Sequence, residues 1–242
     1  MLDFNSRSAL TDRINYLIDT ATVSDNQDRK YLGASIVGHV CERHVQYHLM
    51  AARGQVLRKE FPKRILRIFD RGNLYEERAR QWLNDAGFIF GRGSNQKGFT
   101  DFGDQFAGHV DGIITGWKHP DVLCPVDLPA LWEHKCLGAK NWKKLETDKL
   151  KNYSSTYYVQ TQIYMHYLGL KRCHFMATNA DTMDIYHEII PYVPVDALDA
   201  LGKVSRVIQS TDAGELVPRC TQDKSYYICK WCDFSSSCWG AS

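Results

Sequence analysis

Gly108-His109-Val110-Asp111-Gly112-Ile113-Ile114 and Ala130-Leu131-Trp132-Glu133-His134-Lys135 bound the stretch on which the fold turns. Each end reads as a short apolar strand, and each carries charge where a core strand disfavours it. Glu133 and Lys135 are two residues apart, so on a strand their side chains share one face, about 7 Å apart along the chain. A loop of hairpin type with Pro120, Pro125 and Pro129 joins the two ends, and adjacent strands would bring Asp111 and Glu133 together. Taken singly the signals are weak. Asp111 before Gly112 is an ordinary turn pair, and Glu133-x-Lys135 also fits a structural salt bridge or a solvated strand face. Taken together they are stronger, because two close carboxylates raise each other's pKa unless a cation sits between them. Magnesium suits such a site, with one or two carboxylates, waters and a phosphate oxygen. Lys135 would orient an attacking water or neutralise the phosphate.

Working outward, the chain has 242 residues, enough for one large domain or one domain with a small appendage. It is 44% hydrophobic and 24% charged, ordinary for a globular protein able to bury a core without disulfides. A net charge of +2 does not by itself indicate nucleic acid, so that argument must come from local distribution. No apolar run approaches a membrane span. No apolar stretch follows a basic start, so no signal peptide is expected. The expected location is intracellular, in the cytoplasm. There, eight cysteines are more readily metal ligands or buried thiols than disulfides.

Helical periodicity over residues 6–20 places Leu10, Ile14, Leu17 and Ile18 on one side. Residues 22–30 are polar and turn-like. Ser35 is expected to cap a helix that carries Cys41, Glu42 and Arg43 and runs to about Arg53. Residues 53–67 are basic, a phosphate-binding or a merely solvated face. A long helix over about 62–85 contains Gly72, at a cost of about 1 kcal/mol relative to alanine, which implies close approach of a backbone or ligand. Strands are expected over 88–90, 99–102 and 105–115, then again over 172–178 and 183–190. Helices are expected over about 139–151, with Lys140, Lys143, Lys144 and Lys151 on one face, over 154–169, and from Pro194 to about Ser210. Trp142, Tyr153, Tyr157 and Tyr158 are candidates for stacking on bases or for plain core packing.

Asp111…Glu133-x-Lys135 resembles the PD-(D/E)XK nuclease core. Gly72-x-x-x-Glu76 resembles the first motif of its RecB-type and lambda-exonuclease-like branches. Tyr157-x-x-Gln160-x-x-x-Tyr164 resembles the RecB-type glutamine–tyrosine motif. The resemblance runs from about residue 35 to the C-terminus. It implies an α/β fold: a restriction-endonuclease-like core, with a central mixed sheet flanked by helices. It also implies that Asp111, Glu133 and the backbone carbonyl of His134 bind Mg²⁺ or Mn²⁺, that Glu76 completes the shell directly or through water, that Lys135 is the catalytic lysine, and that Gln160 positions the lysine or the DNA. Iron–sulfur relatives often carry histidine where Glu76 stands. His109 is an alternative residue facing the site, or a surface histidine. Arg71, Lys140, Lys143, Lys144, Tyr157 and Tyr164 are the candidate DNA contacts.

Cys229-Lys230-Trp231-Cys232 is followed by Cys238. Three such cysteines beside aromatics are poor free thiols. A four-thiolate site needs one more, and zinc or an iron–sulfur cluster would accept it. From spacing alone zinc is slightly favoured and Cys220 is the nearest fourth ligand. Cys-x2-Cys-x5-Cys followed by tryptophan resembles the C-terminal signature of CRISPR-associated iron–sulfur exonucleases and AddB-type helicase-nucleases. That resemblance implies a 4Fe–4S cluster held by Cys41, Cys229, Cys232 and Cys238, with structural Zn²⁺ and Cys220 as the rivals. The cluster would form a clasp between the N-terminal helix and the C-terminal tail. With Cys41 as the fourth ligand, Cys124, Cys136, Cys173 and Cys220 are then ordinary thiols.

The division this implies is an N-terminal helical region over 1–60, a nuclease core over 61–190, and a C-terminal helix and cysteine-rich tail over 191–242. The implied activity is a metal-dependent DNA exonuclease acting on single strands or duplex ends. The alternatives are a structure-specific or single-strand endonuclease of the same fold, a CRISPR spacer-processing nuclease, and a DNA-binding iron–sulfur protein with a vestigial site. DNA is the expected partner, with a homo-oligomer or a recombination or CRISPR protein as further candidates.

Overall fold

The single strand expected over residues 105–115 is two strands, and the break between them falls at Val110-Asp111. The structure is a computed structural model and describes residues 7–21, 29–59, 61–93 and 98–240. The expected turn over 22–30 lies almost wholly outside the described residues.

Before the break, β4 (Phe106–His109) lies between β1 (Leu32–Gly33) and β3 (Gly98–Asp101) in a three-stranded sheet. After it, the chain enters a five-stranded sheet made of β2 (Phe88–Phe90), β5 (Gly112–Trp117), β6 (Ala130–Leu137), β7 (Arg172–Asn179) and β8 (Ile185–Pro191), in that spatial order. β6 and β7 are parallel and the other pairs antiparallel, so the sheet is mixed and flanked by helices, as expected. A parallel pair needs a crossover. Here it is α4 (Ala139–Tyr153) followed by α5 (Ser155–Leu168). Ser154 caps α5 by accepting the Tyr157 N–H at 3.3 Å, and Gly169 in the left-handed region ends it.

Alternation along β6 divides the core. Ala130 and Trp132 pack with Met176, Ile114 and Phe88 against Ala79 and Leu83 of α3 (Lys63–Asp85). Leu131 packs on the other face with Ile113, Phe175, Ala177 and Ile163, in the larger core that includes Val204 and Ile208 of α6 (Pro194–Asp212). Glu133 and Lys135 continue the Leu131 face.

Several local expectations are corrected. Ser35 does not cap the second helix. It lies in a short 3-10 turn over Ala34–Ile36, and α2 (Glu42–Ala52) begins after Cys41, its N-cap residue. Residues 53–59 are turn and coil, so the basic run is helical only from Lys63. Gly72 meets no other side chain or element within 4 Å of where a Cβ would lie, so no protein backbone approaches it. α1 (Arg7–Ala21) forms as expected, but Leu10, Ile14, Leu17 and Ile18 are exposed. Trp142 and Tyr158 are buried and pack in the core instead of offering a stacking face.

Two short helices, α7 (Tyr227–Lys230) and α8 (Ser235–Trp239), complete the tail, which docks on α2. Gln46 takes three polar contacts there: its amide donates to Glu215 O (2.7 Å) and Thr211 Oγ1 (3.3 Å), and its oxygen accepts the Val217 N–H (2.9 Å). Arg43 donates to Val217 O at 2.6 Å. Phe234, fully buried, stacks on Tyr47 and meets His44 and His48 edge-on. Among the described residues, no helix is long and apolar enough to cross a membrane.

Candidate active site

Three elements deliver the carboxylates. Asp111 occupies the break between the two sheets, where the chain leaves β4 and has not yet entered β5. Its Oδ2 accepts the His134 N–H at 2.8 Å, which fixes it beside the C-terminal half of β6. Antiparallel pairing of Gly112 with Trp132 sets that register. Glu133 is fully buried on β6. Glu76 lies on α3 one turn before buried Ala79, on the stripe that faces the sheet. The N–H and C=O of one strand residue point to the same side. The His134 carbonyl therefore faces the edge where its N–H meets Asp111.

Lys135 Nζ is 2.5 Å from Glu133 Oε1, with the lysine side chain 21% exposed. Glu133 Oε2 is buried and has no hydrogen-bond partner. A buried, half-satisfied carboxylate is costly. Burial and the Asp111 charge push the Glu133 carboxyl up to about 8. Burial and Asp111 likewise push Glu76 up to about 7. Burial raises Asp111 as well, against the pull of Lys135 and the His134 N–H. Burial alone would lower Lys135, but Glu133 and Asp111 hold it above the ordinary lysine range. The result is one ammonium among three acids that feel one another's charge. The unpartnered Glu133 oxygen and the mutual repulsion are what a divalent cation would relieve. Among the described residues no three Cys, His, Asp or Glu side chains form a ready cage for a single ion. Magnesium commonly takes only one or two protein carboxylates, with waters and phosphate filling the rest, so this donor set fits it.

The remaining expected site residues are spread around this cluster. Tyr157 carries Lys135 Nζ 5.3 Å from its ring centroid. Gln160 is buried and donates to Tyr164 Oη at 3.2 Å. Tyr164 is also buried, and its phenol is raised by burial and then by the Glu133 charge, which makes it part of the wall behind the acids. Lys140, Lys143 and Lys144 are exposed at the start of α4, and Lys143 pairs with Glu146 at 2.5 Å. Arg71 is half-buried on α3, its Nε has no partner, and it lies beside the Cys136 thiol. His109 is exposed.

The second constellation is a small, partly open cavity between α2 and the tail. Cys41, Cys220, Cys229, Cys232 and Cys238 all line it, together with His39, His44, Arg43 and Arg219. Both candidates for the fourth thiolate are therefore present. Burial and a hydrogen bond with Cys41 push Cys220 up to about 11. Five thiols around one cavity are the donor type that either a zinc ion or an iron–sulfur cluster takes.

No protein-family model matches the sequence, and no curated protein matches it. Solved structures do. LHK-Exo, an alkaline exonuclease from Laribacter hongkongensis, superposes at a TM-score of 0.54 with 18% identity, over 77% of this chain and 90% of that one. LHK-Exo in complex with dAMP superposes over the same shares of both chains at 0.57, again with 18% identity. The chain shares its fold with LHK-Exo. A third structure, SSO0001, aligns over 96% of both chains at 15% identity and a TM-score of 0.44.

Some neighbours of the sites were not expected from the sequence. His39, His44 and Arg219 join the cysteine cavity, where Cys220, the alternative fourth ligand, also lies. His44 was legible in principle: it follows Cys41 by three residues, one helical turn. Arg219 was not, because nothing local signals that residues 215–219 fold back onto α2.

Proposed function

We propose that this chain is a divalent-metal-dependent DNA exonuclease of the PD-(D/E)XK superfamily, in its RecB-type branch, acting on single strands or duplex ends. One observation carries the proposal: Asp111, Glu133 and Lys135 meet in a buried cluster that Glu76 also faces, in a chain that shares its fold with LHK-Exo. Asp111, Glu133 and the His134 carbonyl would hold Mg²⁺ or Mn²⁺, with Glu76 closing the shell directly or through water. A bound divalent ion supplies Lewis-acid stabilisation of charge developing on the phosphate.

The protein's own residues do the rest. The His134 N–H holds Asp111 in place. Glu133 keeps Lys135 charged, and Lys135 presents an ammonium at the open side of the cluster to orient water or neutralise a phosphate oxygen. Tyr157 and the Gln160–Tyr164 pair support Lys135 and Glu133 from α5. Lys140, Lys143 and Lys144 supply positive charge for the strand's backbone, and Arg71 is a further contact. The test is digestion of end-labelled linear DNA with Mg²⁺ or Mn²⁺ by wild type and Lys135→Ala. Equal degradation would sink the assignment. Cleavage of covalently closed single-stranded circles would move it to an endonuclease.

The same reading places a 4Fe–4S cluster in the cysteine cavity, on Cys229, Cys232, Cys238 and Cys41, joining α2 to the tail. Protein purified without air should be brown and contain iron and sulfide. Colourless protein with stoichiometric zinc would overturn the cluster and leave the nuclease reading standing.

A further inference from the structure

Two histidines, His39 and His44, line the cysteine cavity, a third, His48, contacts His44, and none has a part in the chemistry described above. His44 Nδ1 lies 3.3 Å from Cys232 Sγ. Its Nε2 lies 3.1 Å from His48 Nε2. His39 lies against His44 with ring centroids 4.0 Å apart and planes tilted by 31°, and its Nδ1 accepts the Cys41 N–H at 3.1 Å. Phe234 packs edge-on against both His44 and His48, so the His44 ring is held on several sides.

This geometry fixes the tautomer once the sulfur is a ligand. A ligating cysteine is a thiolate and can only accept a hydrogen bond. His44 must then carry its proton on Nδ1, and its Nε2 accepts from His48. We infer that His44 is a positioning residue of the cysteine centre, donating Nδ1–H to the Cys232 thiolate and raising the reduction potential of the iron–sulfur cluster held there. The inference rests on the iron–sulfur reading given above. A donor on a ligand sulfur draws off electron density and favours the reduced, more negative cluster. Arg219 acts in the same direction. It lines the cavity, its guanidinium lies 4.3 Å from the Trp239 ring centroid, and its buried Nε has no partner.

The experiment is a mediated redox titration of the full-length holoprotein, followed by electron paramagnetic resonance, on wild type, His44→Phe and His44→Asn. His44→Phe keeps a ring and removes the donor. His44→Asn keeps an amide N–H near the Nδ1 position. With equal iron content in all three, the potential should fall in His44→Phe and return towards wild type in His44→Asn. An unchanged potential in His44→Phe, or equal shifts in both variants, overturns the inference. Should His44→Phe fail to hold the cluster, nuclear double resonance on reduced wild type with ¹⁵N-histidine in heavy water decides. A weakly coupled exchangeable proton and a remote nitrogen support the donor role. A strongly coupled, directly ligating nitrogen, or no such proton, overturns it. Wild type that takes up zinc and no iron overturns the cluster reading itself, an outcome distinct from a cluster whose potential ignores His44.

Discussion

Asp111 Oδ2 accepts the backbone N–H of His134 at 2.8 Å, and this bond ties the gap between two sheets to the strand that carries Glu133 and Lys135. It makes the role of Asp111 separable into an acceptor and a charge. Asp111→Asn keeps an acceptor and loses the charge. Nuclease activity should fall about 10²–10³-fold, the scale for losing one group that stabilises the transition state, while stability without added metal should not fall, because repulsion with Glu76 and Glu133 is relieved. Asp111→Ala strands the His134 N–H and should cost a further about 1–3 kcal/mol in urea denaturation. Equal stability of the two variants would show that the bond does not matter.

The buried acids set a pH dependence. Burial and Asp111 hold Glu133 up to about 8 and Glu76 up to about 7. Between the ordinary glutamate range and these values, the folded protein keeps protons that the unfolded chain has lost. Below about 6.5 this is opposed by His44, His48, His134 and His174, whose burial lowers their pKa so that the unfolded chain binds protons they do not, so stability of the chelator-treated protein should fall as pH rises from about 6.5 to about 8. Melting temperatures across that window should decline in wild type, flatten in Glu133→Gln, and recover at pH 8 on adding Mg²⁺. A wild-type melting temperature that climbs over this range would contradict the burial of uncompensated acids.

Gly108 is where β4 passes beneath α5. A Cβ there would lie 2.5 Å from the Tyr164 ring and 2.8 Å from Phe99. Both rings are packed, so Gly108→Ala should destabilise by about 1–3 kcal/mol through overpacking. It should also displace Tyr164 from Gln160, which would show as reduced kcat at saturating DNA. Wild-type stability and kcat in this variant would mean that the wall yields freely.

Phe234 is the apolar pin of the tail. It is fully buried against Tyr47, His44 and His48. Phe234→Ala should cost about 3–5 kcal/mol and loosen residues 227–239, read as faster amide hydrogen exchange on the tail and on α2. Protection unchanged on α2 would mean that the tail and α2 are held together by other contacts.

Much of the architecture lies in local pattern. Strand alternation in 130–135 and helical periodicity in 62–85 and 154–169 each depend on neighbours in sequence, so period suffices to read them. The identity of Asp111, Glu133 and Lys135 as misplaced charges in apolar surroundings was legible for the same reason, whereas Glu76 was reached only through the resemblance of Gly72-x-x-x-Glu76 to a family motif. What local pattern cannot carry is partnership across the chain. The run 105–115 reads as one strand because its alternation is continuous, and only its two different neighbours, β3 on one side and β6 on the other, split it at Asp111. Gly72 reads as a close approach, yet it faces open space, because a missing side chain says nothing about what stands opposite. The pairing of Lys135 with one oxygen of Glu133, the orphaning of the other, and the convergence of α2 and the tail on one five-cysteine cavity are products of packing. Burial then converts ordinary glutamates into acids that hold their protons near neutral pH, because desolvation is a property of the folded surroundings and not of the residue.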